Sequence, residues 1–154
     1  MIEIKRKNPN AIKQVLDALQ KVAEQEIAVG FPKEKAQAYP DGTSVAEVAA
    51  KHCFGIGVPE RNFMAYGEEL ISGGSTIKEC LRGIARGANQ PKVVQALAEA
   101  AGQRAQSLIQ QSILEGNWTP NSPATIAEKG SDKPLIDTSH MKNSVTYVVR
   151  GKKQ

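Results

Sequence analysis

Aromatic side chains are scarce in this chain: three Phe, three Tyr and one Trp make up 5% of its 154 residues. Stacking platforms of the kind that single-strand nucleic-acid binders use are therefore hard to assemble, and the core must be built from Val, Ile, Leu and Ala. Cysteines are equally few. Cys53 and Cys80 are too few for a disulfide framework, and they cannot complete a zinc site, which takes four N or S ligands. They read as small buried apolar side chains. No apolar run approaches the roughly 20 residues of a membrane helix. The opening Met-Ile-Glu-Ile-Lys-Arg-Lys lacks the apolar stretch of a secretory signal. The expectation is a protein made and used in a cytoplasm.

The chemistry-bearing motifs are also missing. The two histidines, His52 and His140, have no metal-ligand spacing with each other or with the cysteines. Gly55-Ile56-Gly57 lacks the third glycine of a dinucleotide fingerprint, and no Gly-Lys-Ser/Thr follows a glycine-rich loop. Glu68-Glu69 has no partner at a spacing that implies paired-carboxylate work and reads as a solvated helix face. Cys53 with a histidine is the one nucleophile–base pair left to consider. His52 is its sequence neighbour, and helix neighbours point about 100° apart. His140 would have to meet it across the fold, and nothing local activates the thiol. The reading is a chain without catalytic, cofactor or metal sites, with a cysteine-dependent enzyme as the remote alternative.

What is present is an ordinary globular composition, 40% hydrophobic and 23% charged, in a length that makes one domain over residues 1–154. The net charge is +4 and the pI about 9.1. The basic residues are scattered apart from Lys5-Arg6-Lys7 and Arg150-Gly151-Lys152-Lys153, at the two termini. A small basic nucleic-acid-binding domain is the alternative this charge supports, although no reading module accompanies it.

Along the chain, residues 2–5 alternate as a short edge strand does. Ile12, Val15, Leu16, Leu19 and Val22 then mark one face of a helix over residues 10–24. Residues 26–31 read as a strand, and residues 33–42 as an exposed loop or long hairpin tip. Thr43-Ser44 with Glu47 resembles a capping box before a short helix ending near Gly55. Helical pattern resumes at about residue 65, breaks at Gly73-Gly74-Ser75, and returns with Ile77, Cys80, Leu81 and Ile84 on one face. A long helix follows over residues 91–115, with Gly116 as its C-cap. Residues 117–134 form a long connection, helical at most over 124–127. A turn at 139–142, capped by Asp137 or Thr138, and a β-branched strand at 145–149 close the chain. The class is α+β: a small, mostly antiparallel sheet packed against one or two long helices.

Three segments in order resemble a known family. They are Asp41-Gly42-Thr43-Ser44-Val45-Ala46-Glu47-Val48-Ala49-Ala50-Lys51-His52-Cys53-Phe54-Gly55, then Val58-Pro59-Glu60-Arg61-Asn62-Phe63-Met64, and finally the stretch from Trp118-Thr119-Pro120-Asn121-Ser122-Pro123 to Leu135-Ile136-Asp137-Thr138-Ser139-His140-Met141-Lys142-Asn143-Ser144-Val145. Together they resemble the neck, or tail-completion, proteins of long-tailed bacteriophages and prophages. In that family a helix ending in an acidic-Phe-Gly turn precedes a Pro-x-Arg-Pro-Phe motif, and a late Leu-Ile-Asp-Thr-Gly motif precedes the final strand. This chain carries Cys53 for the acidic residue, Asn62 for the second proline and Ser139 for the glycine. A left-handed turn at residue 139 would be strained by Ser139.

The resemblance implies a non-enzymatic virion protein that joins or completes the tail at the head–tail neck. Its partners would be further copies of itself in a ring and the tail tube or head–tail connector, with no small-molecule substrate and no membrane. It would act in the host bacterial cytoplasm during assembly and in the virion neck afterwards. Ring contacts are heterologous and suit loops and edges. The expected contact segments are residues 33–42, 54–64 and 117–133, with Tyr39, Arg61, Phe63, Trp118, Asn121 and Lys129 as candidate interface residues. Phe63 and Trp118 would be aromatic anchors, or else plugs over the protein's own core. Arg61 would pair with a carboxylate and lock the turn after Pro59.

Overall fold

The computed structural model describes residues 10–35, 37–136 and 139–151. Among these, the element on which the others converge is a helix of 25 residues, Pro91–Glu115, here α5. Its elements in chain order are α1 (Ala11–Ala23), β1 (Gln25–Gly30), α2 (Val45–Phe54), α3 (Phe63–Gly73), α4 (Ser75–Arg86), α5, α6 (Pro123–Lys129), α7 (His140–Ser144) and β2 (Thr146–Gly151). The strand expected at residues 2–5 lies outside the described residues.

Helix α5 starts as its sequence dictates, with Pro91 in the first turn where a missing N–H costs nothing. Val94, Ala98, Ala101, Ala105, Leu108, Ile109 and Ile113 are all buried along it, a stripe at helical spacing. The small residues let neighbours come close. Gly67 of α3 crosses α5 at Ile109, where a side chain would overlap the isoleucine. Ser112, wholly buried, donates its hydroxyl to the Phe63 carbonyl at 2.7 Å or to Ile109 at 2.8 Å. Gly116 follows the helix with extended backbone (φ −63°, ψ 142°). It is the C-cap expected from the sequence, held by its N–H on the Ser112 carbonyl, and it makes room for the Trp118 indole, which occupies the place of a Cβ.

Strands β1 and β2 pair antiparallel, in register from Gln25 opposite Gly151 to Gly30 opposite Thr146. This two-stranded sheet lies on α5, so the α+β class is as the sequence implied. The Tyr147 ring rests on Gly102, the one α5 position under it with no side chain to displace it. The main core joins Val45, Ala49 and Cys53 of α2 to Phe63, Ile109, Ile113, Met141 and Val145. A second cluster joins Ile84, Val94 and Ala98 to Val22, Ile27 and Val149.

Local signals explain most boundaries. Asn62 accepts a hydrogen bond from the Ala65 N–H at 3.0 Å and caps α3, so the residue standing where the family has proline supplies a cap instead. Gly74, extended at φ −74°, is both the end of α3 and the start of α4. Ser44 begins α2 without a side-chain cap bond, so the capping box does not form. In the late connection α6 is longer than the turn expected at 124–127: Ser122 caps it, Pro123 opens it and left-handed Gly130 ends it. Ser139 takes up φ +59°, the left-handed conformation a glycine would hold without strain.

Candidate functional site

The three segments that carry the resemblance come together around one open cleft of about 600 Å3. Tyr39, Asp41 and Thr43 line one side. Val58, Pro59 and Arg61 line the second, and Asn121, Ser122, Thr125 and Lys129 the third, with His52 and His140 facing in. Residues far apart in sequence meet here because α2 and α7 both pack into the main core and thereby bring the loops beside them together.

Arg61 is the residue that ties this face together. It is only 4% exposed, and burial lowers its guanidinium pKa from the ordinary value. Its Nε donates to the Thr119 carbonyl at 2.8 Å, and one terminal nitrogen donates to the Pro120 carbonyl at 3.2 Å and to Asn121 Oδ1 at 3.1 Å. Its own backbone N–H donates to the His52 carbonyl at 2.8 Å. The expected lock after Pro59 exists, but among the described residues its acceptors are neutral carbonyl and amide oxygens of the late loop rather than a carboxylate. Asn121 also donates to the Lys133 carbonyl at 3.3 Å, linking the segments before and after α6.

The other candidate residues divide. Tyr39 packs its ring on His140, centroids 4.8 Å apart, and its loop is closed by hydrogen bonds between Tyr39 and both Thr43 and Gly42. His140 reaches back to the Ala38 carbonyl at 3.1 Å. Lys129 lines the cleft. Phe63 does not serve as an interface anchor: it is 0% exposed, set edge-on to Phe31 in the core. A side chain that large, following a helix cap, fills the main core because α3 crosses α5 there. Trp118 is half-buried, edge-on to Tyr66, with its indole N–H on the Ile113 carbonyl at 3.3 Å; it covers the end of α5 and does not line the cleft.

The segment 54–64, expected from the sequence as a contact segment, leaves large apolar side chains in water at its start. Phe54 is 72% exposed, Ile56 59% and Val58 36%. Phe54 is the last residue of α2, and Ile56 and Val58 stand on the loop after it, whose path is set by left-handed Gly55 and Gly57. Of these three, Val58 lines the polar cleft, while Phe54 and Ile56 lie next to it in sequence and are left in water. The sequence shows this stretch as the apolar run Phe54-Gly55-Ile56-Gly57-Val58, broken by two glycines.

His52 and Cys53, on the helix beside the cleft, are both shifted toward their neutral forms. His52 Nδ1 is buried with no hydrogen-bond partner among the described residues. Burial, then the charges of Arg61 and Lys129, push its pKa below the ordinary 6.5, so it is neutral near pH 7. Cys53 points from α2 into the core. Burial raises its thiol pKa, which disfavours the reactive thiolate, and no hydrogen bond joins it to either histidine among the described residues. No group of three His, Cys, Asp or Glu among the described residues is placed to hold a metal ion, and no described helix is long and apolar enough to cross a membrane. At the basic C-terminus, Arg150 pairs with Glu26 at 3.1 Å and with Glu34, so its charge is spent within the protein. Lys5-Arg6-Lys7 lies outside the described residues. No family model, curated protein or solved structure matches the chain.

Proposed function

We propose that this chain is a non-catalytic virion or prophage protein that completes the tail at the head–tail neck, with the cleft face as the surface that receives a neighbouring neck or tail-tube protein. The observation that carries this reading is the convergence of the three resemblance segments on one cleft, next in sequence to Phe54 and Ile56, which are left in water. Segments that shared only a local structural role would have no reason to border the same cleft. The Arg61 anchor supports it further, since it fixes the late loop before any partner arrives, which lowers the ordering cost of docking.

The test is genetic and visual. In a host that releases tailed particles on induction, deleting the gene should leave filled heads and finished tails unjoined. Restoring it as Ile56→Asp should give the same defect from a folded protein. Normal infectious particles from the deletion strain would defeat the assignment. A salt-dependent shift of duplex DNA by the purified chain would favour the nucleic-acid alternative instead.

A further inference from the structure

Helix α1 is strongly amphipathic, and yet none of its residues is fully buried. Ile12 is 73% exposed, Val15 50%, Leu16 60% and Leu19 37%, all at the i, i+3, i+4, i+7 spacing of one face. Only Val22, at the end nearest β1, packs on the second core cluster. The exposed face amounts to about 400 Å2 of apolar surface, as large as the biggest patch on a typical monomer. A 13-residue helix is marginal in water without packing, so this face needs a cover.

The same protein carries a groove of matching chemistry. A cavity of about 370 Å3 opens between β1, the end of α3, α4 and α5, and its walls include Ile27, Ile71, Ile77, Leu81 and Ala101. Leu81 is 51% exposed at its lip. A ridge of branched aliphatic side chains and a trough of aliphatic and alanine walls fit as helix ridges fit grooves. Within one molecule α1 lies against α4 and β1 at its Val22 end, while Ile12, Val15, Leu16 and Leu19 do not line the groove.

We infer that the Ile12–Leu19 ridge of α1 seats in the Ile71/Ile77/Leu81 groove of a second copy of this chain. The area argues for a copy over the chain's own N-terminus. Residues 1–9 bring only Met1, Ile2 and Ile4 as apolar side chains beside Lys5-Arg6-Lys7, too little to cover a ridge and a groove together. Ridge plus groove lip would remove roughly 800–1,000 Å2 in total, below the standard stable interface and in the class of weak, concentration-dependent contacts. One patch meeting a different patch is a heterologous contact, which closes into a ring where the rotation allows. The contact itself does not depend on where the chain acts; only the ring's place in a neck rests on the reading above.

The test uses the full chain in light scattering and sedimentation, from about 5 µM to about 500 µM, the range in which a contact of this size assembles. The wild type should grow in mass with concentration, and Leu16→Glu and Leu81→Glu should each remain monomeric. Mixed one to one, the two variants should recover a dimer, because Leu16→Glu keeps its groove and Leu81→Glu keeps its ridge. A benzophenone side chain at position 16 of the wild type should cross-link to α3 or α4 of another copy, which guards against a variant that merely misfolds. A strictly monomeric wild type, or a cross-link found only within one chain or to residues 1–9, would overturn the inference. So would unchanged assembly in both variants.

Discussion

Arg61 shows how a single residue here carries more of the architecture than its neighbours. A buried guanidinium that donates three hydrogen bonds to the late loop cannot be replaced by an ammonium, which lacks the planar fork. Arg61→Lys should cost about 2 kcal/mol, seen as a melting temperature lower by about 4–8 °C for a chain of this size. Ser139 offers the opposite sign. It holds φ +59°, which costs a non-glycine residue about 1 kcal/mol. Ser139→Gly should therefore stabilise by up to about 0.5 kcal/mol once the glycine's extra unfolded freedom is deducted, read as a small rise in denaturant midpoint. His52 adds a pH dependence. Its folded pKa lies below 6.5 because burial disfavours the imidazolium. Above pH 6.5 the group is neutral in both states and its share of stability is whole. As pH falls, the unfolded chain takes the proton first, so stability declines toward the folded pKa. Thermal melts from pH 7.5 to pH 5 should show that decline, and His52→Gln should flatten it.

At the scale of elements, packing between α5 and its neighbours is set by what is absent. In an exposed helix, Gly→Ala gains up to about 1 kcal/mol. At Gly102 the sign should reverse, because a Cβ would run into the Tyr147 ring and the sheet must move, at about 1–3 kcal/mol. Gly73, at the end of α3, meets nothing within 4 Å and is the control: Gly73→Ala should be neutral or stabilising in the same urea titration. Elements of this kind were legible in the sequence where the cue was local. The apolar period gave α5, the paired glycines gave the α3–α4 break, and β-branched residues gave β2. Less was legible where the cue depended on a distant partner. Phe63 reads as an interface anchor or a core plug until α3 is seen crossing α5. Arg61 needs an acceptor that the sequence places 58 residues away. The amphipathic pattern of α1 marked the helix and its apolar face, but periodicity reports that a face wants a cover without saying which molecule provides it.

At the scale of the whole molecule, two apolar surfaces are left in water on different parts of the fold: the Phe54–Ile56 rim, next in sequence to the cleft, and the Ile12–Leu19 ridge on α1. The proposed neck contact would use the first of these surfaces and the inferred self-contact the second. Their stabilities in the free chain should differ in a measurable way. The rim loop is braced at its far end, where the Arg61 N–H meets the His52 carbonyl and the guanidinium holds the late loop. Helix α1 is held chiefly at Val22, so it opens locally at little cost. Hydrogen exchange at low concentration should therefore find the centre of α5 slowest, since its amides open only with global unfolding, and the first turns of α1 among the fastest of the helical amides. Raising the concentration into the assembling range should slow α1 and the lip of α4 together while leaving the rim loop unchanged. Protection of the rim without α1 would instead make the cleft face the self-contact, and would turn α1 outward to another partner.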